Sequence, residues 1–248
     1  MNAVLEPAVP ATLLQPAATL GEIAARVPGA TAVFRRHKLD FCCGGNVALD
    51  QAARAKGLDA QALLAELREA APAPDGQAVP TEAGALIDHL LARYHEVHRR
   101  QLPELERMAR RVEAVHADHP QVPAGLAQHL EAMQSELLSH MEKEEQVLFP
   151  VLRRGGHPMA AHPITMMRHE HLEHGQALET LDRLTQEMTP PPGACNTWRA
   201  LYTGLAQLKS DLMEHIHLEN NCLFPAFEGQ SPGESQGGCG SGGACGCA

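Results

Sequence analysis

Residues 140–150 read HMEKEEQVLFP, and residues 215–225 read HIHLENNCLFP. The first letter, the fifth and the last three coincide. Steps of four and three carried back and forward from the first copy give Leu126, Leu130, Met133, Leu137, His140, Glu144 and Val147. The second copy gives Leu201, Leu205, Leu208, Leu212, His215, Glu219 and Cys222. Each series is the core-facing stripe of an amphipathic helix. In both, a histidine and a glutamate stand where the pattern calls for apolar side chains. Burying an unpaired carboxylate costs several kcal/mol, and doing so twice at matching positions requires compensation, which a metal cation supplies. Side chains at i and i+4 stand one above the other on one helix face, so both reach one metal centre. The intervening letters differ and read as facing away from it. Leu-Phe-Pro reads as packing against the core and ending each helix.

Two further stripes complete the pattern: Leu91, His95, His98, Leu102, Leu105, and Ile164, Met167, His171, His174, Leu178, Leu181. His95 precedes His140 by 45 residues and His171 precedes His215 by 44. The chain is therefore read as a duplicated helical hairpin. Each hairpin offers a histidine from its first helix and a His-xxx-Glu from its second. The four helical segments are 83–117, 123–149, 162–189 and 195–227, separated by HPQVP, PVLRRGGHP and TPPPG. Short Pro/Gly breaks between long amphipathic helices predict an all-α, up-down-up-down four-helix bundle. Pro103 is expected to kink the first helix.

Four histidines and two carboxylates thus converge on one core. A structural zinc site takes four ligands in a closed tetrahedron, often with cysteine. A ferritin-type site carries Glu-xx-His on two helices, whereas Glu113 and His116 form a single unduplicated instance at a helix end. Mixed imidazole and carboxylate donors suit iron. If both glutamates bridge, each of two irons takes two imidazoles and two carboxylate oxygens. An oxo or hydroxo bridge then leaves about one open position per octahedral iron. Periodicity does not choose between His95 and His98, nor between His171 and His174. The unchosen members are read as supporting the ligands or relaying protons. His89 and His169 fall off the stripes and read as surface. His116, His119, His157 and His162 lie at helix ends or in loops and read as solvated. Glu142 and Glu145 read as exposed, with Glu145 the one placed to support a ligand.

Outside the bundle, residues 1–18 read as a flexible arm, 19–70 as a small helical domain, 71–82 as a proline-rich linker, 83–228 as the bundle, and 229–248 as a disordered Gly/Cys tail. Thr19-Leu-Gly-Glu22 is a capping box, Pro28-Gly29 breaks the first two short helices, and Asp59 caps the last. Phe41–Asn46, FCCGGN, is a glycine-rich turn. Cys42 and Cys43 are neighbours, too close along the chain for a relaxed mutual disulfide. They read as thiols for redox exchange, metal transfer or contact with a second copy of the chain. Cys195 and Cys222 read as structural thiols within helices. Cys239, Cys245 and Cys247 read equally as a chelating tail or as low-complexity sequence. A net charge of -10 with no basic run excludes nucleic acid as a natural partner. No apolar run has membrane-spanning length. The start of the sequence does not read as a signal peptide, so reduced cysteines in a cytoplasm are expected.

LDFCCGG near the N-terminus, RYHEVHRRQLPEL, and the two His-Glu-Leu-Phe-Pro stretches together resemble the iron-sulfur cluster repair family (the ScdA/YtfE type) over about residues 17–228. The resemblance implies a small double-cysteine domain followed by a hemerythrin-like bundle with a non-haem di-iron centre. It implies His95, His140, Glu144, His171, His215 and Glu219 as ligands, with both glutamates bridging two iron ions. It also implies repair of iron-sulfur clusters damaged by nitric oxide or oxidants, with iron donated to the damaged Fe-S protein. Two other activities fit the same residues: reduction of nitric oxide at open iron positions, and sensing of oxygen or nitric oxide. The Cys/Gly tail departs from the family pattern.

Overall fold

The computed structural model describes residues 13–70, 79–156 and 160–228. Most of the expected arm, the linker at 71–78, His157, and the tail with Cys239, Cys245 and Cys247 lie outside the described residues. Within them, regular structure is helical throughout, apart from one antiparallel bridge between Thr19 and Ala48.

Four short helices come first: α1 (Leu20–Arg26), α2 (Ala30–Arg36), α3 (Leu49–Ala55) and α4 (Ala60–Glu69). The capping box forms as read. Glu22 N–H donates to Thr19 Oγ1 at 3.3 Å, and Thr19 N–H donates to Glu22 Oε2 at 3.1 Å. Asp59 Oδ1 caps α4 by accepting from Gln61 N–H at 2.9 Å. Ile23, Val33, Phe34, Leu49, Leu63, Leu64 and Leu67 turn inward and are buried.

The bundle consists of four long helices. α5 runs Ala83–Leu90, passes through a π turn at Leu91–His95 and continues as Glu96–Val115. α6 runs Leu126–Lys143, passes through a π turn at Glu144–Leu148 and continues as Phe149–Arg153. α7 is Ala161–Thr185 without interruption. α8 runs Asn196–His217, then a π turn at Leu218–Leu223 and a 3-10 turn at Phe224–Ala226. Each helix packs on the next, and α8 closes on α5. Around Leu102, Leu130, Leu137, Leu178, Trp198, Leu205 and Leu212 the interior is apolar. That apolar core is continuous with the one inside α1–α4. A second, smaller apolar cluster, including Leu90, Phe149, Ile164 and Phe224, lies at the opposite end of the bundle.

The three π turns alter the register that a uniform helical period predicts. A π turn holds one more residue than an α turn, so every residue beyond it rotates around the helix. Val147, placed on the α6 stripe by the four-three period, is 56 % exposed, and Leu148 takes the core position at 2 %. Likewise Cys222 is only partly buried while Leu223 is buried. Leu91 is partly buried while Leu90 is buried. α7 has no π turn, and its whole predicted stripe from Ile164 to Leu181 is buried. Leu-Phe-Pro does not end α6, which continues to Arg153 with Pro150 in the first turn after the π segment, where its missing N–H is tolerated. After α8 the same letters do bring the helix to a 3-10 close. Cys195 is the N-cap of α8 rather than an interior residue.

Candidate metal centre

The six side chains that the resemblance implies as ligands come together beside the three π turns. His95, Glu144, His215 and Glu219 offer atoms within 4.8 Å of one another. So do His140, Glu144, His171 and Glu219. The two glutamates are common to both groups, and all six residues are buried. His95 Nε2 faces His215 Nε2 at 3.1 Å, and His171 Nε2 faces His140 Nε2 at 3.2 Å. Glu219 Oε1 and Oε2 lie 3.1 and 3.0 Å from His215 and His171 Nε2. The Glu144 oxygens lie 3.5 and 3.4 Å from His95 and His140 Nε2, and neither has a hydrogen-bond partner.

The outer ring nitrogens decide what the inner ones can do. His95 Nδ1 is 2.7 Å from Glu145 Oε1, and His140 Nδ1 is 2.9 Å from Glu170 Oε2. A carboxylate accepts, so each Nδ1 carries the hydrogen and each Nε2 presents a lone pair inward. His171 Nδ1, 2.9 Å from Asn220 Oδ1, is oriented the same way. His140 and His171 therefore aim two nitrogen lone pairs at each other across 3.2 Å, beside carboxylate oxygens. Without a cation this arrangement is repulsive; with one in each group it becomes a ligand set whose outer hydrogen bonds fix the tautomers. Burial, and then the neighbouring His215, push the His95 pKa down to about 2. Burial brings His140 down to about 4 despite its bond to Glu170. Both imidazoles are thus neutral and able to ligate. Burial and the charge of Glu219 push Glu144 well up. Burial raises Glu219 too, but His215, whose Nε2 faces its Oε1 at 3.1 Å, brings it down overall. Two buried carboxylates side by side, with three of their four oxygens lacking a hydrogen-bond partner, form a site short of positive charge. The donor set fits a pair of cations.

The duplication extends one residue further than the stripes showed. Glu145 and Asn220 each follow a shared glutamate, and each holds the outer nitrogen of a histidine on another helix. The intervening letters do not all face away from the centre. Glu145 is half-buried, and Arg99 donates to its Oε1 at 2.8 Å. Glu170 supports His140 and is paired with Lys143; its bond to His140 brings its pKa down to about 2. Tyr94 occupies the place in α5 that Glu170 occupies in α7. Its ring stacks on His215 at 5.6 Å, and His215 Nδ1 has no partner. Glu170 and Asn220 carry no intrinsic signal of this role, because their partners lie on other helices.

The remaining histidines divide sharply. His98 and His174 are buried close by, outside both four-residue groups. His169 and His162 are exposed, and His89 and His119 are partly buried. His116 is not simply solvated. Its Nε2 lies 3.2 Å from Cys195 Sγ, and its ring packs on Trp198 at 5.1 Å.

The double-cysteine turn lies directly against the centre. Asn220, while holding His171, donates from Nδ2 to the Cys42 carbonyl at 3.0 Å. Asn221 donates to the Phe41 carbonyl at 3.1 Å. Cys43 Sγ is 3.3 Å from the His171 carbonyl. Glycine is required at Gly45 for this approach: a Cβ there would meet the Phe41 carbonyl oxygen at 2.8 Å as well as Asn221 Oδ1 at 2.6 Å. Asp40, Cys42 and Cys43 form a third cluster of metal-ligating atoms. Cys42 and Cys43 are both free thiols.

Residues 86–227 match the family described as the hemerythrin HHE cation binding domain. Residues 16–71 match ScdA_N, described as a domain of unknown function. The chain is 51% identical over 209 residues to the iron-sulfur cluster repair protein YtfE of Cronobacter sakazakii, covering 83% of this chain and 94% of that one. It is 52% identical over 211 residues to the protein of the same name from a Yersinia pseudotuberculosis strain, covering 84% and 95%. To that from an Escherichia coli strain it is 49% identical over 209 residues, covering 83% and 94%. No helix among the described residues is long and apolar enough to cross a membrane.

Proposed function

The chain belongs to the iron-sulfur cluster repair family, and we propose that it restores damaged iron-sulfur clusters by giving up iron from a two-iron cage. The observation that carries this reading is the two pairs of facing histidine nitrogens closed by two shared, under-satisfied carboxylates. His95 and His215 would hold one iron, His140 and His171 the other, and Glu144 and Glu219 both. Bound there, iron supplies the transferable ion together with one-electron redox capacity.

The protein's own part is to hold the donors and to let go of them. Glu145, Glu170 and Asn220 keep three imidazoles in the ligating tautomer. Burial keeps competing protons off His95 and His140. Asn220 links the position of His171 to that of the double-cysteine turn, so movement of that turn loosens a ligand. Cys42, Cys43 and Asp40, adjoining His171, are the next donors on the way out, and the damaged Fe-S protein is the recipient. Rescue of a nitric-oxide-damaged Fe-S enzyme tests this directly. Iron-loaded protein should restore activity without added iron, and a His140→Ala variant offered the same iron should restore far less. Equal rescue by the two proteins would remove iron donation from this cage as the mechanism.

A further inference from the structure

Two buried histidines beside the cage carry ring nitrogens with no hydrogen-bond partner. Neither ring nitrogen of His98 has a hydrogen-bond partner, and His174 Nε2 has none either. Both residues are more than nine-tenths buried. A buried polar atom left unpaired costs about 1–3 kcal/mol, so a core that only needed filling would carry leucine at these places. The two positions are counterparts in the duplication, since His98 follows His95 by three residues as His174 follows His171.

Their neighbours say what they serve. The His98 ring lies 5.4 Å from that of His215, and the His174 ring 5.0 Å from that of His140. The ligand pairs themselves, His95 with His215 and His140 with His171, are spaced at 4.8 Å. Each half of the cage thus has a third imidazole at nearly ligand spacing, yet neither belongs to its compact four-residue group. A buried nitrogen that no protein group satisfies, on a ring packed against a proposed ligand, is left free to bond a guest molecule held at the cage.

We propose that His98 and His174 form the polar wall of a small-ligand subsite, one in each half, and donate hydrogen bonds to a two- or three-atom ligand with a terminal acceptor. Small linear anions, nitric oxide and dioxygen belong to that class. The subsite gives the cage a way to detect or hold such molecules that is separate from metal retention. It rests on the two-iron reading above. His98 and His174 are positioning residues here, acting on the ligand and not as metal donors.

Azide is the probe. The iron-loaded wild-type protein, His98→Leu and His174→Leu would be titrated with azide and followed by the charge-transfer absorption. Iron content and the number of imidazoles per iron, from X-ray absorption, would be measured on the same samples. The expected result is azide affinity reduced about tenfold in each variant, as for loss of one hydrogen bond to a charged group, with iron content and imidazole count unchanged. The metal-free variants should melt no lower than metal-free wild type, because an unpaired polar group has been replaced by an apolar one. Unchanged azide affinity would overturn the proposal. So would a fall in imidazole count, which would make these residues metal ligands, and so would a lower melting temperature of the metal-free variants, which would make them structural. Failure of wild type to load iron would instead overturn the underlying two-iron reading.

Discussion

At the residue scale, the centre is recognisable because it contradicts its surroundings. His140, Glu144, His215 and Glu219 interrupt stripes that are otherwise apolar, so a period count alone exposes them. The choice of His95 over His98 and of His171 over His174 was not legible from that count, since all four are buried on the same stripes. What separates them is three-dimensional. His95 and His171 have outer partners in Glu145 and Asn220, and His98 has none. Two predictions belong here. In the metal-free protein, Glu144→Gln removes a buried carboxyl with no hydrogen-bond partner. It should leave stability unchanged or raise it by about 1–3 kcal/mol, while metal content falls by at least half. Chemical denaturation and metal analysis of one preparation check both parts. Asn220→Ala removes the support of His171 and should weaken metal binding by roughly 10–100-fold, measured by competition with a chromophoric chelator. An unchanged affinity would show that the hydrogen bond does not tune the ligand.

At the element scale, the four long helices and their order were legible from Pro/Gly breaks and apolar spacing, and so were the capping box at Thr19 and the cap at Asp59. The π turns were not. Nothing in HMEKEEQVLFP announces an extra residue in a turn, because the signal is a mismatch between an ideal period and the packing of a distant helix. Their positions fit their use: each of the three contains a proposed ligand, His95, Glu144 or Glu219. Widened turns shift ligand side chains relative to the core residues beyond them, which is how π turns recur at functional sites. The register change has a direct test. Leu148→Ala should cost about 2–5 kcal/mol, whereas Val147→Ala should change stability by less than about 0.5 kcal/mol. Similar costs at the two positions would restore the uniform helix.

At the scale of the whole molecule, the N-terminal helices are not an appendage. Their apolar residues share one continuous core with the bundle. Arg35 pairs with Glu214 at 2.8 Å, and the double-cysteine turn is fastened to Asn220 and Asn221. The change of composition near residue 71 marks a domain boundary, but a sequence shows linkers and not the surfaces that meet across them. The metal-free protein should therefore unfold in a single calorimetric transition; two resolved transitions would mean that the shared core does not couple the parts. Metal loading should also slow amide hydrogen exchange at residues 41–46, through Asn220, relative to the metal-free state. The central claim is that this joined structure holds two iron ions in one cage of four histidines and two glutamates. Metal analysis with Mössbauer spectroscopy on the purified protein tests it most directly. The account predicts two iron ions per chain with the spectrum of a coupled pair, lost in His215→Ala. One iron per chain, two uncoupled irons, or full iron content in His215→Ala would contradict it.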